Sequence, residues 1–260
     1  MEKHNYDLEG KYYDVSDLQF NRNPPDNYNL HDNIISYDDG NDHKILLLSI
    51  VLSYPIIYDK YKYIDGKTED ITIVVCPFTM ASICCYGKYH ATENIENGCL
   101  VISNGEHTFS VMSAYEYSQK YNIRIGTVAI EKLRNAFMNH TDHKYLLIEN
   151  NGQTIMNSEY YKNNEVKYIY TRPPDQFHNK TIVYLLYYVS EKNHVTKIAV
   201  IVGRNAKKEK PYGYNTRKSG TKEYIEKYME KINLKLGFVM PVLWFSWKSF
   251  YPNAKIIYLT

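Results

Sequence analysis

The chain lacks an apolar stretch long enough to cross a membrane. Its longest apolar run, residues 45–57, is interrupted by Ser49, Ser53 and Pro55, whereas a membrane-spanning helix needs about 20 consecutive apolar residues. The first residues are polar and contain no apolar signal core. We therefore expect an intracellular protein that is neither secreted nor in contact with a membrane.

Cysteine is scarce, and its spacing matches no known metal or redox motif. The four cysteines are Cys76, Cys84, Cys85 and Cys99, and no two of them form a C-x-x-C pair. This spacing excludes a zinc ribbon and a thioredoxin-type motif, so the sequence predicts no metal site. Reduced thiols in a cytosolic compartment are the expectation.

Assembled catalytic motifs are missing as well. The chain contains no G-x-S-x-G, no H-E-x-x-H and no glycine-rich phosphate loop, which excludes the enzyme classes that these motifs define. The sequence predicts no cofactor and favours a protein that is not an enzyme.

Tyrosine is abundant instead, with 28 residues against 8 Phe and 2 Trp. Asn (24), Ile (25) and Lys (25) are also frequent, whereas Ala (8) and Arg (6) are rare. The four frequent types have AT-rich codons, so we expect a viral source with an AT-rich genome, such as a giant virus, and a location in the host cytoplasm or the virion. Because a buried phenol needs a hydrogen-bond partner, we also expect many tyrosine hydroxyl-to-backbone bonds in the core.

The composition is that of a globular protein, with 44% hydrophobic and 23% charged residues and a net charge of +2. Residues 1–43 are acidic and show no apolar period, so they are predicted to form an irregular arm that docks on the body through its tyrosines. Residues 44–260 are predicted to form a single β-rich α+β domain, with a sub-boundary near 157–165 as an alternative.

Strand patterns dominate this body, and helices are few. The predicted strands are 44–52, 61–64, 71–76, 81–86, 99–103, 107–112, 144–149, 153–156, 166–171, 181–190, 195–202 and 255–259. Tight turns are predicted at Asp65-Gly66, Asn97-Gly98, Asn104-Gly105 and Asn150-Asn151-Gly152. The predicted helices are 113–121 (opened by a Ser113–Glu116 capping box), 127–137, 221–234 and 241–252, the last with Trp244, Trp247 and Tyr251 on a buried face. The predicted fold is α+β, mainly antiparallel β-sheet with three or four short helices.

Cys76 is the most suggestive candidate for chemistry. It ends an apolar, β-branched strand and precedes Pro77, and the loops that follow strand ends often line sites. A reactive thiol also needs a base or a positive local field, and His90 and His107 are the nearest histidines in the sequence. Cys76 and His107 are the candidate catalytic residues; the alternative is a buried, inert cysteine.

A basic loop before the helix at 221–234 is the second candidate site. Residues 204–222 mix tyrosines with Lys207, Lys208, Arg217 and Lys218, a pattern that could bind phosphate and stack bases. The alternative is a solvated loop without a ligand.

Two blocks of the chain match the motifs of one known family. Tyr54-Pro55, Asp65-Gly66 and the strand end Cys76-Pro77-Phe78-Thr79 occur in that order, and Trp244 and Trp247 precede Pro252. These blocks resemble an uncharacterised family of bacterial and archaeal domains with a Cys-Pro-Leu-Cys-Gly-Thr motif and a C-terminal Trp-x-x-Trp-x-x-x-x-Pro stretch. The resemblance implies a β-rich fold and no particular activity. Thr79 replaces the second cysteine of the family, which argues against chemistry that needs both of those thiols.

The leading functional hypothesis is a viral binding or assembly protein that is soluble and not catalytic, with a protein partner or a second copy of itself. Two alternatives stay open at this point. One is a thiol-dependent enzyme or redox protein that uses Cys76, and the other is nucleic-acid contact through residues 204–222.

Overall fold

The computed structural model describes residues 2–3, 8, 11–24, 28–139, 143–146, 160–161, 181–190, 196–202, 222–231 and 234–258. The strands are β1 Glu2–Lys3, β2 Tyr12–Asp14, β3 Phe20–Asn21, β4 Asn33–Asp38, β5 His43–Leu47, β6 Ile56–Lys62, β7 Thr68–Val75, β8 Ser82–Tyr86, β9 His90–Glu96, β10 Cys99–Ser103, β11 Thr108–Ser110, β12 Ile125–Thr127, β13 Ala129–Lys132, β14 His143–Leu146, β15 Ile182–Ser190, β16 Thr196–Val202, β17 Leu234–Leu243 and β18 Lys255–Tyr258. The helices are α1 Leu48–Ser53, α2 Ala114–Tyr121, α3 Leu133–Asn139, α4 Lys222–Lys231 and α5 Trp247–Phe250, and a 3₁₀ turn, Val111–Ser113, precedes α2.

The strands form four sheets around a shared core. Their orders are β1-β9-β10-β11, β12-β8-β7-β6-β2, β13-β4-β5-β14-β3 and β17-β15-β16-β18. Neighbouring strands are antiparallel except in the pairs β2–β6, β5–β14 and β16–β18. Within the described residues, no helix is long and apolar enough to cross a membrane. The predicted α+β class with mainly antiparallel sheet is confirmed.

Local turn signals predicted the hairpins of the described residues correctly, whereas the turn predicted at 150–152 and the strands predicted at 153–156 and 166–171 lie outside those residues. β6 and β7 are joined at Asp65-Gly66, where Gly66 has a φ of +84°, and β9 and β10 are joined at Asn97-Gly98. Asparagine and glycine adopt positive φ more readily than other residues, which is why such pairs mark tight turns. The strand predicted over 99–103 is confirmed to the residue.

The apolar run at 44–52 was predicted as one strand and is instead a strand followed by a helix. β5 ends at Leu47, and α1 begins at Leu48 with most of its residues buried. A continuous apolar run carries no period, so its pattern does not separate a buried strand from a buried helix. The helix turns the chain from one sheet into β6 of the next.

Two predicted helices begin later than their patterns indicated. The helix expected from Thr127 is preceded by strands β12 and β13 and begins only at Leu133. The helix expected from Pro241 is preceded by β17, in which Pro241 pairs opposite Tyr184. β17 is an edge strand of its sheet, where a missing backbone N–H is tolerated.

The predicted helix at 113–121 is confirmed, but its capping box is not formed. The Ser113 hydroxyl donates to the Ser110 carbonyl of the preceding 3₁₀ turn rather than capping α2. The Glu116 carboxylate accepts from the Tyr251 hydroxyl at 3.5 Å. The preceding turn therefore binds the Ser113 side chain, and a residue distant in the sequence binds that of Glu116.

The N-terminal segment predicted as an irregular arm does dock on the body. Between bends and turns it contributes β1, β2, β3 and β4 to three sheets. β4 is regular and largely buried, since Ile34 and Ile35 are fully covered between β5 and β13.

Tyrosine serves as a core aromatic, as its abundance indicated. The phenols of Tyr28, Tyr160, Tyr161 and Tyr251 each donate to a backbone carbonyl, which satisfies the polar end of each side chain. The two tryptophans are fully buried with their ring centroids 5.5 Å apart, so they belong to the core.

Candidate functional site: a buried dithiol

The site begins with the tight turn that follows β7. Pro77 cannot continue the sheet ladder, and the chain reverses between Cys76 and Ala81. The Cys76 N–H donates to the Ala81 carbonyl and the Met80 N–H to the Cys76 carbonyl, both at 2.8 Å. Met80 adopts a left-handed conformation, with a φ of +60°, which side chains of this size rarely take.

Two other parts of the chain hold this turn through its carbonyl oxygens. The Tyr161 hydroxyl donates to Pro77 at 2.6 Å, and the Tyr160 hydroxyl donates to Phe78 at 2.9 Å. The Leu243 N–H, at the end of β17, donates to Thr79 at 2.7 Å. The turn that carries Cys76 is therefore fixed from several sides.

The first strand residue of β10 brings a second thiol to Cys76. The N–H of Leu100, the residue that follows Cys99, donates to the Cys76 sulfur at 3.3 Å, and Cys99 is among the groups that lower the pKa of Cys76. The Thr79 hydroxyl donates a hydrogen bond to the Cys99 sulfur, with 3.5 Å between the oxygen and the sulfur. Both cysteines are fully buried and free; together they are called the buried dithiol.

The surroundings favour a negative charge on one of the two sulfurs. Burial raises the pKa of the Cys76 thiol, but hydrogen bonds from Cys99, Thr79 and two backbone N–H groups outweigh it and lower the pKa to about 7. Burial and the neighbouring Cys76 raise the pKa of Cys99 well above its usual value. The pair therefore releases one proton near neutral pH and keeps the other on Cys99.

The other two cysteines are structural. Cys84 and Cys85 lie on opposite faces of β8, and both are buried. Burial raises the pKa of Cys84 to about 12 and that of Cys85 well above its usual value. They stay protonated and unreactive at neutral pH.

The structure does not bring the candidate histidines to Cys76. Both histidines lie near Ser103, the last residue of β10. His90 on β9 pairs with Ser103 on one side. Thr108 on β11, the residue after His107, pairs with Ser103 on the other side. That end of β10 is about 13 Å along the strand from Cys99. The His107 ring contacts Tyr117 and Tyr121 instead, so hydrogen-bond donors rather than a histidine surround the thiol.

The basic-loop residues Lys207, Lys208, Arg217 and Lys218 lie outside the described residues, and their predicted phosphate contact stays a prediction. Across the described part of the chain, no group of three or more His, Cys, Asp or Glu side chains is arranged to hold a metal ion.

A buried ionic cluster lies at the junction of two sheets. The Lys44 amine contacts Asp59 at 2.6 Å and Asp39 at 3.0 Å, and the Tyr37 hydroxyl donates to Asp59 at 2.8 Å. All four side chains are buried; they are called the Lys44 cluster. Gly40 follows Asp39 at a φ of +87°, and a Cβ there would lie 2.2 Å from the backbone of β6, so only glycine fits.

An aromatic–arginine patch, consisting of Tyr61, Tyr63, Glu69, Tyr86 and Arg124, lies on the surface of the second sheet. The Arg124 guanidinium stacks 3.6 Å from the centroid of the Tyr86 ring and bonds to Glu69 at 3.0 Å and to the Tyr63 hydroxyl. Its side chain is 50% exposed. The patch therefore offers aromatic surface and both signs of charge to solvent.

Sequence reasoning singled out Cys76 but missed Cys99 as its partner. Cys99 follows an Asn-Gly turn and begins a predicted strand, which indicated burial and nothing more. No family model, curated protein or solved structure matches this chain, so the function has to be argued from the site itself.

Proposed function

We propose that the protein is a redox protein in which Cys76 and Cys99 switch between the dithiol and a disulfide. The observation that carries the proposal is the juxtaposition of two free, buried thiols, in which the Cys76 sulfur accepts at 3.3 Å from the N–H of Leu100, the residue that follows Cys99. This arrangement, together with the hydrogen bonds that lower the pKa of Cys76, favours the redox alternative of the sequence over a merely buried cysteine.

Oxidation removes two protons and two electrons from the pair. The Cys76 thiolate attacks an oxidant such as the azo compound diamide, and the Cys99 thiol then displaces the reduced hydrazine from Cys76 as the S–S bond forms. The two sulfurs need to approach to about 2.05 Å, and the backbone next to Cys99 already hydrogen-bonds to the Cys76 sulfur. In the intracellular setting that the sequence predicts, cellular thiol reductants would return the disulfide to the dithiol.

Counting free thiols before and after oxidation tests the proposal. The reduced native protein is incubated overnight with excess diamide, long enough for fluctuations of the fold to admit this bulky oxidant, then quenched in acid, unfolded and alkylated, and its mass is measured. We expect the loss of two of its four thiols, restored by dithiothreitol.

The variants Cys76→Ser and Cys99→Ser should each lose no thiol to an intramolecular disulfide, whereas the matched control Cys84→Ser should still lose two. Retention of all four thiols by the wild-type protein would contradict the proposal, as would the loss of two thiols in Cys76→Ser.

Self-association is a second candidate function, and the aromatic–arginine patch favours it. Ile64, at the tip of the β6–β7 hairpin beside Tyr63, is fully exposed. Tyrosine and arginine are enriched in protein–protein interfaces, especially among the residues that contribute most of the binding energy. Because the patch carries both Arg124 and Glu69, two copies facing each other across a twofold axis could pair these charges. The partner proposed here is a second copy of the chain.

Light scattering over a concentration series checks this second candidate. The wild-type protein is expected to dimerise, and Ile64→Glu is expected to shift it to monomer with an unchanged circular dichroism spectrum. Leu30→Glu, at an exposed leucine outside the patch, is the control and should still dimerise. A wild-type protein that stays monomeric throughout the series would rule the candidate out.

A further inference from the structure

We propose that the oxidant of this dithiol is hydrogen peroxide, that the Cys76 sulfur attacks it, and that the Cys99 thiol resolves the product. The inference rests on the proposed redox function and adds the substrate class and the order of the two cysteines. It follows from the enclosure of the site and from the different donors around each sulfur.

The burial of both thiols favours a small oxidant over a large one. Cys76 and Cys99 each have 0% of their surface exposed, and the turn above them is clamped by Tyr160, Tyr161 and Leu243. A disulfide such as oxidised glutathione has to align three sulfurs during exchange, and the rate of exchange depends on access. Hydrogen peroxide is only slightly larger than a water molecule and reaches such a site through small fluctuations of the fold.

The donors around Cys76 suit the attacking role. The Leu100 N–H points at its sulfur at 3.3 Å, and the Phe78 N–H and Thr79 hydroxyl also hydrogen-bond to it. These groups hold the sulfur as a thiolate, the nucleophilic form.

Cys99 has the properties of a resolving thiol. Its pKa is raised, so it keeps its proton, and it lies beside Cys76, whose sulfur accepts from the N–H of the next residue, Leu100. A sulfenic acid next to a thiol condenses with it to a disulfide. Cys76 is therefore protected from further oxidation by the thiol already in contact with it.

The reaction balances without another cofactor. The Cys76 thiolate attacks one peroxide oxygen, the O–O bond breaks, and Cys76 becomes a sulfenic acid while hydroxide leaves and takes up a solvent proton. The Cys99 sulfur then attacks the Cys76 sulfur, the S–O bond breaks, and the hydroxyl leaves with the Cys99 proton as water. Overall, two thiols and one peroxide give one disulfide and two waters.

Comparing oxidants of different size on the wild-type protein tests the size argument. Hydrogen peroxide, tert-butyl hydroperoxide and oxidised glutathione are added to the reduced protein, and thiol loss is followed by acid quench and alkylation. We expect hydrogen peroxide to react at least about tenfold faster than either larger oxidant, because access limits them. Equal rates for hydrogen peroxide and tert-butyl hydroperoxide would overturn the inference.

Two variants test the order of the cysteines. After peroxide treatment, Cys99→Ser is expected to gain oxygen on Cys76, seen as a mass increase of the tryptic peptide 68–88. Cys76→Ser should gain none on Cys99 in the peptide 89–120 under the same conditions. Oxygen on Cys99 in place of Cys76 would contradict the assignment.

The diamide experiment separates this inference from the function on which it rests. A disulfide formed by diamide but not by hydrogen peroxide would leave the redox function standing and overturn the peroxide assignment. A failure of both oxidants would overturn both.

Discussion

Replacing Lys44 with methionine is expected to lower the free energy of unfolding by about 3–5 kcal/mol, the usual cost of removing one partner from a buried ion pair. Methionine keeps the apolar stem but leaves Asp39 and Asp59 without the cation that lies within 3.0 Å of both. The Asp59 carboxylate would retain only the Tyr37 hydroxyl and a backbone N–H as donors. Urea denaturation at pH 7, followed by fluorescence, gives the difference.

Lys60→Met is the matched control for this prediction. Lys60 lies 3.5 Å from Asp70, and both side chains are about half exposed, so the change should cost less than about 1 kcal/mol. Equal losses of stability in the two variants would show that the buried ion pairs of Lys44 contribute no more to stability than an exposed ion pair does.

The rate at which the dithiol is oxidised is expected to rise about 100-fold between pH 5 and pH 9. With the pKa of Cys76 lowered to about 7, roughly 1% of the sulfur is thiolate at pH 5 and nearly all of it at pH 9, and only the thiolate attacks. The rate rises with pH because the protonated thiol, which predominates below pH 7, does not attack the oxidant. Thiol loss after timed acid quenches, measured across this range, gives the profile.

Thr79→Val tests the cause of the shift. The variant removes the hydroxyl that lowers the pKa of Cys76 while keeping a β-branched side chain of similar volume, so the profile should move to higher pH and reach the same plateau. Cys84 does not contribute in this range, since its pKa is raised to about 12. A wild-type midpoint near 9 would instead mean that the donors around Cys76 do not stabilise its thiolate.

Features encoded over a few residues were predictable from the sequence. The hairpin turns at Asp65-Gly66 and Asn97-Gly98 and the strand 99–103 follow from residue types at adjacent positions. The helix predicted at 221–234 is found at Lys222–Lys231, with Ile225 and Met229 fully buried. In each case the residues of one turn, strand or helix are enough to predict it, whatever packs against that element.

Features that depend on packing between sheets were not predictable. The run at 44–52 divides at Leu47 because α1 has to carry the chain between two sheets, which nothing within the run records. The contact between Cys76 and Cys99 arises where the end of β7 meets the start of β10, two strands of different sheets. Thr79 occupies the position at which the family resemblance would place a second thiol, so local spacing pointed away from the pair.

The Lys44 cluster shows the same limit for charged residues. In the sequence, Asp39, Lys44 and Asp59 are indistinguishable from the solvated charges around them. They are buried because the turn after β4 packs on β6, where the Lys62 N–H donates to the Asp39 carbonyl at 2.6 Å. Burial of paired charges is a property of that junction rather than of any local pattern.

Peptide mapping of the oxidised protein tests the central claim most directly. Trypsin cuts the chain so that Cys76, Cys84 and Cys85 fall in peptide 68–88 and Cys99 in peptide 89–120. After mild oxidation and digestion without reductant, the buried dithiol predicts one species that joins these two peptides, with the bond located on Cys76 by fragmentation. A protein that yields only the separate peptides, or a bond to Cys99 from Cys84 or Cys85, would contradict the account.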